Sequence, residues 1–362
     1  MVLIGSNAMK KKTVLVTGAT GFVGSHVLDA LMARKDIETV AACRDPSRLL
    51  SGFSGEVRRG DLTDADYVAG VVKGVNVICH AAAWTSLWAH RNQEEHYFRD
   101  PTTALIDAAI SAGVERFIFD SSIVAAPPRR DGAPIDDHEP GVRPGFWPHM
   151  DMVVDIERHM HKHSTLGMKM IVLRAGHFVG ARFNLGLASL LIPRLKTHLV
   201  PWVSGGSARQ SLVAGEDVAS AYELAVGADG LKNYEQFNIC GPSFPTLREI
   251  IGFLHDEAGT PRPYFSVPLA GAYAFGWLME KLNPVLPGDP FLTRAIVLLM
   301  EDRHAPSDLA RSRLGYVPKV DWKTAMRRQL QDEARRGHPR AALVGGRRHV
   351  QMANTKVKRV DD

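Results

Sequence analysis

Cysteine and long apolar runs are scarce in this 362-residue sequence. Cys43, Cys79 and Cys240 are odd in number and far apart, so their spacing supports neither a disulfide framework nor a zinc motif. The apolar stretch Val267–Met279 contains Pro268 and is too short to cross a bilayer. We therefore expect a protein of the reducing cytoplasm that has no membrane span.

A broad excess of one charge sign is also missing. The formal net charge is +5, and residues 331–362 supply +4 of it, from eight Lys/Arg against four Asp/Glu. The nearly neutral remainder argues against a nucleic-acid-binding face. We expect the basic 331–362 tail to be solvated and unpacked, and residues 1–8 look like the remnant of a cloning vector.

Short β-branched runs alternate with helical stretches through the first half of the chain. Such alternation predicts an α/β fold, a doubly wound parallel Rossmann sheet covered by helices on both faces. We assign residues 9–180 to this dinucleotide-binding domain, with 211–242 returning to it. The less regular residues 181–210 and 243–330 predict a smaller, mostly helical C-terminal substrate lobe.

A glycine-rich turn, TGATGFVG, follows the first predicted strand and opens the first helix. Glycines at these positions permit a tight turn, the approach of backbone to a pyrophosphate and close helix–sheet packing. The strand–turn–helix context makes this spacing a dinucleotide-binding signal, although a purely structural turn is the alternative. The predicted cofactor contacts are Gly18, Thr20, Gly21, Phe22, Val23 and Gly24.

The end of the second strand bears on the choice between NADP and NAD. Arg44 comes first there, and Arg48 lies one helical turn further on. Guanidinium groups hold a phosphate through paired hydrogen bonds, which favours NADP. The adjacent Asp45 could instead serve a ribose hydroxyl, which keeps NAD as the less favoured alternative.

Several motifs in order resemble the extended short-chain dehydrogenase/reductases, the NAD-dependent epimerase/dehydratase superfamily. They are TGATGFVG, GDLTD, VICHAAA, FDSS, SLVAGEDVASA, FNICGP and LGYVPKVDW, over roughly residues 11–330. The segments WTSLW and VPLAGAYAFGWLMEKL are most similar to the 3β-hydroxysteroid dehydrogenase-like branch. The resemblance implies a late acidic motif residue at Asp217, a catalytic serine at Ser122, and cofactor contacts at Asp61, Leu62, Ala81, Ala82 and Ala83.

The tyrosine and lysine of this family are missing from the helix where the resemblance places them. Counting back from Glu157 puts His149 at the tyrosine position and Val153 at the lysine position. None of the seven tyrosines has a lysine four residues later, so the pair is absent rather than shifted.

Three interpretations of this substitution remain open. His149 is the proton donor, with Ser122 orienting the substrate oxygen, because imidazole titrates near neutral pH without help from a lysine. Alternatively the chemistry is lost and the nucleotide is a structural or sensing ligand. In the third, water or substrate supplies the proton. By helical spacing, Asp151 and Asp155 do not orient the imidazole.

We accordingly expect an NAD(P)-dependent oxidoreductase acting on an apolar carbonyl or alcohol. A catalytically silent NAD(P)-binding protein and an epimerase or dehydratase that retains NAD are the alternatives. Resemblance alone implies a homodimer. The aromatic residues in substrate-facing segments predict the pocket, and core packing would explain them equally well. These substrate candidates are Trp88, Trp147, His177 and Phe178.

Two further groups carry weaker predictions. Arg209 and Gln210 could bind a polar end of the substrate. His159 and His163 share a helix face and could ligate a metal. We expect no metal there, because no carboxylate or cysteine ligand is close in sequence and a solvated helix end explains both histidines.

Overall fold

A parallel sheet forms the centre of the computed structural model, which describes residues 11–182, 187–283, 285 and 289–335. The predicted vector remnant and residues 336–362 of the tail lie outside these ranges. The strands are β1 Lys12–Thr17, β2 Ile37–Cys43, β3 Glu56–Arg59, β4 Val77–His80, β5 Arg116–Ser122, β6 Lys169–Ala175, β7 His177–Val179, β8 Trp202–Val203, β9 Leu212–Ala214, β10 Tyr234–Ile239 and β11 Ser266–Val267.

Seven strands make the main sheet in the order β10-β6-β5-β4-β1-β2-β3, all parallel. Two small parallel pairs, β7 with β9 and β8 with β11, lie outside it. The helices are α1 Phe22–Met32, α2 Ala65–Val71, α3 Arg91–Glu94, α4 Asp100–Ser111, α5 Pro148–His163, α6 Leu187–Leu195, α7 Gly215–Gly227, α8 Leu247–Ala258, α9 Leu269–Leu282, α10 Arg294–Leu299, α11 Asp308–Leu314 and α12 Trp322–Arg335.

The central strands are buried on both faces, which explains their continuous apolar sequences. In β1, Leu15 belongs to a hydrophobic core on one side of the sheet, while Val14 and Val16 belong to the core on the other side. A third core packs α6, α8, α10 and α12 together in the C-terminal lobe. The predicted doubly wound sheet with a smaller helical lobe is confirmed.

The closing segment of the chain is tied back to the dinucleotide domain by a buried carboxylate. Asp217, in the first turn of α7, accepts hydrogen bonds from the backbone N–H groups of Lys319 (2.8 Å) and Val320 (3.0 Å). Helix α12 follows directly and continues to Arg335, five residues into the expected tail. Among the described residues, no helix is both long enough and apolar enough to span a bilayer.

Helix α5 is fixed to the sheet by a buried ion pair. The Arg174 guanidinium of β6 donates to both Glu157 oxygens, from Nε at 2.9 Å and Nη2 at 2.6 Å. The Ser121 hydroxyl donates to Glu157 Oε1 at 2.6 Å. Both charged side chains are almost fully buried, so each charge needs the opposite charge of its partner to offset the loss of hydration.

We predict that Glu157→Ala destabilises the fold by about 3–5 kcal/mol, because the Arg174 cation stays buried without a counter-charge. Urea denaturation followed by circular dichroism measures the change. Lys162→Ala, an exposed substitution on the same helix, is the control and should have little effect. A loss below about 1 kcal/mol for Glu157→Ala would show that the pair is dispensable.

Candidate active site

The glycine turn after β1 packs against the end of β4. Gly18 has φ +64°, and a Cβ there would lie 2.6 Å from the backbone oxygen of Ala81 and 2.7 Å from the nitrogen of Ala82. A side chain at Gly24 would likewise collide with the Gly18 backbone. Only glycine permits this contact, which brings the carboxyl ends of β1 and β4 together at the point where the strand order reverses.

The opening of α1 carries no side-chain cap in the described structure. Gly21 is the exposed N-cap residue and contributes no side-chain cap, while its own N–H bonds Gly18 O at 2.8 Å. Thr20 beside it is partly exposed, whereas Val23 is buried in the core. These backbone N–H groups at the positive end of a helix fit the pyrophosphate of a dinucleotide.

Exposed guanidinium groups lie at the end of β2. The side chain of Arg44 is 77% exposed and has Asp61 as a distant partner, at 3.8 Å. Arg48 is also exposed. Asp45 is engaged elsewhere, since its Oδ1 accepts from the Ser47 backbone N–H at 3.1 Å and from the Ser47 hydroxyl at 2.7 Å.

The other predicted cofactor residues, Asp61, Leu62 and Ala81–Ala83, follow the carboxyl ends of β3 and β4. Asp61 accepts from the N–H and hydroxyl of Thr63, both at 3.0 Å. Leu62 packs on the edge of a core. After β4, Ala81 and Ala82 are partly exposed and Ala83 is exposed, which leaves room beside the backbone.

His149 is held by a carboxylate that the sequence does not point to. Its Nδ1 lies 3.0 Å from Oε2 of Glu94, a residue with no solvent exposure. The other Glu94 oxygen accepts from the Ser86 N–H at 2.9 Å and from the Ser86 hydroxyl at 2.8 Å. The ring of Phe98 stacks on the imidazole at a centroid distance of 5.2 Å.

The segment that supplies Glu94 has an irregular backbone. Ala89 and His90 both have positive φ values, +50° and +59°, just before α3. A π-helical turn over Glu95–Arg99 follows α3 and joins it to α4. Such strained and bulged backbone is concentrated at functional sites. Glu94 and Glu95 are identical neighbours in sequence, so only this geometry distinguishes the buried one.

The start of α5 is anchored independently of the imidazole. Pro148 is the first helical residue, a position that suits its fixed φ. Asp151 accepts from the Gly145 N–H at 2.9 Å and pairs with Arg91 of α3 at 2.5 Å. Within the described part of the chain, the hydrogen-bond partners of Asp151 are therefore Gly145 and Arg91.

Ser122 and Val153 are the remaining parts of the family pattern. The Ser122 oxygen accepts from the Val124 N–H at 3.2 Å, and within the described residues Ser122 has no direct hydrogen bond to His149. Val153 is 3% exposed and belongs to the core on this side of the sheet. No cation of α5 therefore takes the lysine position.

A cleft of about 370 Å³ opens beside the segment that follows Ser122. Its walls are mainly apolar and include Val124, Phe146 and Leu298. Its polar end is Glu301, which accepts from the Tyr273 hydroxyl at 2.6 Å and pairs with Arg130 at 3.0 Å. Sequence reasoning missed Tyr273 and Glu301, because they are 28 residues apart and meet only in the folded C-terminal lobe.

None of the four substrate candidates lines this cleft, and each has its own surroundings elsewhere in the described structure. Trp147 is buried and donates from Nε1 to Ser86 O at 2.7 Å, while Trp88 donates to Asn283 Oδ1 at 3.2 Å. Burial and the nearby Arg303 lower the pKa of His177 to about 4. Phe178 packs on Phe22 at the opening of α1, at a centroid distance of 5.4 Å.

Arg209 and Gln210, the suggested polar contacts for substrate, have protein partners instead. Arg209 Nε donates to Asp302 Oδ2 at 3.1 Å, and Gln210 Nε2 donates to Glu301 O at 3.1 Å. Gln210 is also fully buried.

Comparison with known protein families identifies the family of this chain. The sequence profile of the NAD dependent epimerase/dehydratase family matches residues 14–240. The chain belongs to this family. The resemblance recognised in the motifs is thereby confirmed. An NAD-dependent family with a Rossmann-type domain is confirmed with it.

Relatives within the family include reductases and dehydrogenases. A 4-hydroxy-2-methyl-3-oxo-4-farnesyl-3,4-dihydroquinoline-1-oxide ketoreductase of Stigmatella aurantiaca is 23% identical over 309 residues, covering 84% of this chain and 92% of the relative. A 3 beta-hydroxysteroid dehydrogenase/Delta 5-->4-isomerase of Mycobacterium tuberculosis is 36% identical over 116 residues, 30% of this chain and 31% of the relative. The crystal structure of gox2253 shares the fold, with a TM-score of 0.73 and 24% identity over 90% of this chain and 99% of that chain.

Asp120, two residues before Ser122 on β5, has a buried carboxyl oxygen. Asp120 Oδ1 has no hydrogen-bond partner among the described residues, and burial raises the pKa of this carboxyl to about 8. An unfolded aspartate titrates near 3.8. Between these values the folded chain keeps a proton that the unfolded chain has lost, so stability is highest at the acid end and falls as the pH rises towards 8.

We predict that Asp120→Asn removes this pH dependence. The stability of the parent relative to the variant should fall by up to about 1.4 kcal/mol per pH unit between pH 4 and 8. Urea denaturation at several pH values measures it. Asp308→Asn, at an exposed carboxylate, serves as the control. Parallel stability curves for parent and Asp120→Asn would contradict the assignment.

Proposed function

We propose that the protein is an NADP-linked oxidoreductase that acts on an apolar carbonyl or alcohol, with His149 as its acid–base group. The hydrogen bond between His149 Nδ1 and the buried Glu94 carboxylate carries this proposal. Because a carboxylate accepts, Nδ1 is the protonated nitrogen, and Nε2 is left to exchange a proton with the substrate.

In this proposal the Glu94 carboxylate supports His149 as the family's lysine supports its tyrosine. A buried carboxylate orients the ring, fixes its tautomer and stabilises the imidazolium that forms when an alcohol is oxidised. In the reverse direction the same imidazolium returns the proton to the oxygen of the reduced carbonyl. Ser122, at the end of β5, would orient that oxygen.

The cofactor residues fit a dinucleotide whose ribose carries a phosphate. The turn Gly18–Gly24 would cradle the pyrophosphate, and Arg44 and Arg48 would bind the 2′-phosphate. Asp45 Oδ1 is engaged by Ser47, which leaves only its second oxygen for the ribose hydroxyl of the NAD alternative. When bound, the nicotinamide exchanges a hydride with the substrate carbon.

The substrate class follows from the cleft. Its walls include proline, valine and phenylalanine side chains, and its polar lining consists of Arg130, Tyr273, Glu301 and Arg303. Such a lining favours an apolar body with one polar end. The ketoreductase relative named above, whose name includes a farnesyl-bearing ring, is compatible with a substrate of this kind.

A catalytically silent nucleotide-binding protein is the second candidate, and one observation favours it. Val153 fills the lysine position with a side chain buried in the core, so the usual cation beside the nicotinamide ribose is missing. This candidate predicts cofactor binding without hydride exchange. The epimerase alternative requires retained NAD, which Arg44 and Arg48 disfavour.

We predict that His149→Phe lowers kcat for NADPH oxidation by about 10²–10⁴-fold with a panel of apolar ketones, because proton transfer is lost. Glu94→Gln should cause a smaller fall, because the imidazole loses a charged hydrogen-bond acceptor but keeps a neutral one that can still orient the ring. Absorbance of NADPH and its fluorescence on binding are the two measurements.

The control for these variants is His161→Phe, an exposed histidine of the same helix. Nucleotide affinity should be unchanged in all three. Normal turnover of His149→Phe would exclude the assigned role. Binding of NADPH by the parent, with no turnover on any ketone, would favour the silent protein.

We also predict that Arg44→Ala combined with Arg48→Ala weakens NADPH binding by about 10–100-fold, the value of one or two charge-assisted hydrogen bonds. NADH has no 2′-phosphate, so its affinity should change little. Calorimetry with both nucleotides measures the effect, and Arg262→Ala, in the C-terminal lobe, is the control. Equal losses for the two nucleotides would contradict phosphate recognition.

A further inference from the structure

Three side chains capable of binding a metal meet on the outer surface of α4 and α5. They are Asp107 of α4 and His159 and His163 of α5, and each offers a donor atom within 4.8 Å of the other two. We propose that they form a binding site for a divalent transition-metal ion, with Zn²⁺ as the best fit. This site is separate from the proposed active site and does not depend on its function.

The two histidines are preorganised by the helix. They are four residues apart and therefore on one face, with ring centroids 4.2 Å apart. His163 Nδ1 lies 2.9 Å from the backbone oxygen of His159, so Nδ1 is the protonated nitrogen. The lone pair of the neutral ring is then on Nε2. Metal-binding histidines are commonly fixed by such a hydrogen bond from the other nitrogen.

Asp107 completes the set from the neighbouring helix. Its Oδ1 is 2.8 Å from His159 Nε2, and its side chain is 57% exposed, so it can shift without disturbing the core. Ligands at about 2.0–2.2 Å from one ion lie about 3.3–3.5 Å apart. Replacing the shared proton by an ion therefore needs only a small widening of this contact.

The ligand types select the metal. Two imidazoles and one carboxylate suit Zn²⁺ with a water in the fourth position, whereas Mg²⁺ and Ca²⁺ prefer oxygen ligands alone. The contact between His159 and Asp107 and the hydrogen bond from His163 already hold the three side chains close together, so an ion would meet a nearly formed set of ligands.

The site would fasten two helices that flank the sheet. His159 is ten residues beyond His149 on α5, which corresponds to about 15 Å along the helix axis. A bound ion would thus stabilise the pairing of α4 with α5 without touching the groups around Glu94. It is a structural clamp in this proposal, and it takes no part in hydride transfer.

Titration of the metal-free full chain with ZnCl₂, against a chromogenic chelator, tests the proposal. We expect one equivalent of Zn²⁺ to bind and to raise the thermal midpoint. Asp107→Asn, His159→Ala and His163→Ala should each weaken binding by about tenfold or more. His161→Ala, on the same helix but outside the cluster, is the matched control and should bind as the parent does.

Circular dichroism verifies that each variant is folded. If a histidine variant does not fold, the exposed Asp107→Asn variant still tests the site. Co²⁺ provides a second readout, because its visible spectrum distinguishes a tetrahedral protein site from hydrated ion. The proposal is overturned if the parent binds no Zn²⁺, or if Asp107→Asn and His161→Ala bind it equally well.

Discussion

The buried Glu94 carboxylate is the constraint on which the arrangement of the active site depends. A carboxylate without solvent contact is costly unless each oxygen has a partner, and here Ser86 satisfies one oxygen while His149 satisfies the other. These contacts tie the loop after β4 to the first turn of α5. The imidazole therefore cannot rotate away without leaving a charge unpaired, which makes its position part of the fold.

Two more buried carboxylates extend this principle along the same helix. Asp151 is paired with Arg91, and Glu157 is paired with Arg174. Together with Glu94 they fix α5 to α3 at one end and to β6 further along. These three contacts hold the first turns of α5 in place through the protein's own side chains, which is the preorganisation that the proposed role of His149 requires.

Local patterns predicted the fold and the cofactor turn, because their causes are local. Glycines next to a buried strand and a helix start determine the turn at Gly18, and β-branched runs determine the parallel strands. Glu94 could not be found this way. It lies 55 residues from His149, beside an equivalent Glu95, on a segment whose left-handed and π-helical turns have no sequence signature. The sequence does not show Asp107 as a neighbour of the two histidines for the same reason, since it approaches His159 only across two packed helices.

The exchange of a phenol and an ammonium for an imidazole and a carboxylate changes which proton chemistry is available. A tyrosine needs a nearby cation to ionise near neutral pH, whereas an imidazole exchanges a proton there without one. In this chain Val153 leaves the predicted lysine position without a cation, and the Glu94 carboxylate lies within hydrogen-bond distance of His149. Loss of function alone would explain the valine but not the buried carboxylate. The buried carboxylate held against the imidazole is thus the observation that favours the proposed acid–base role over a silent site.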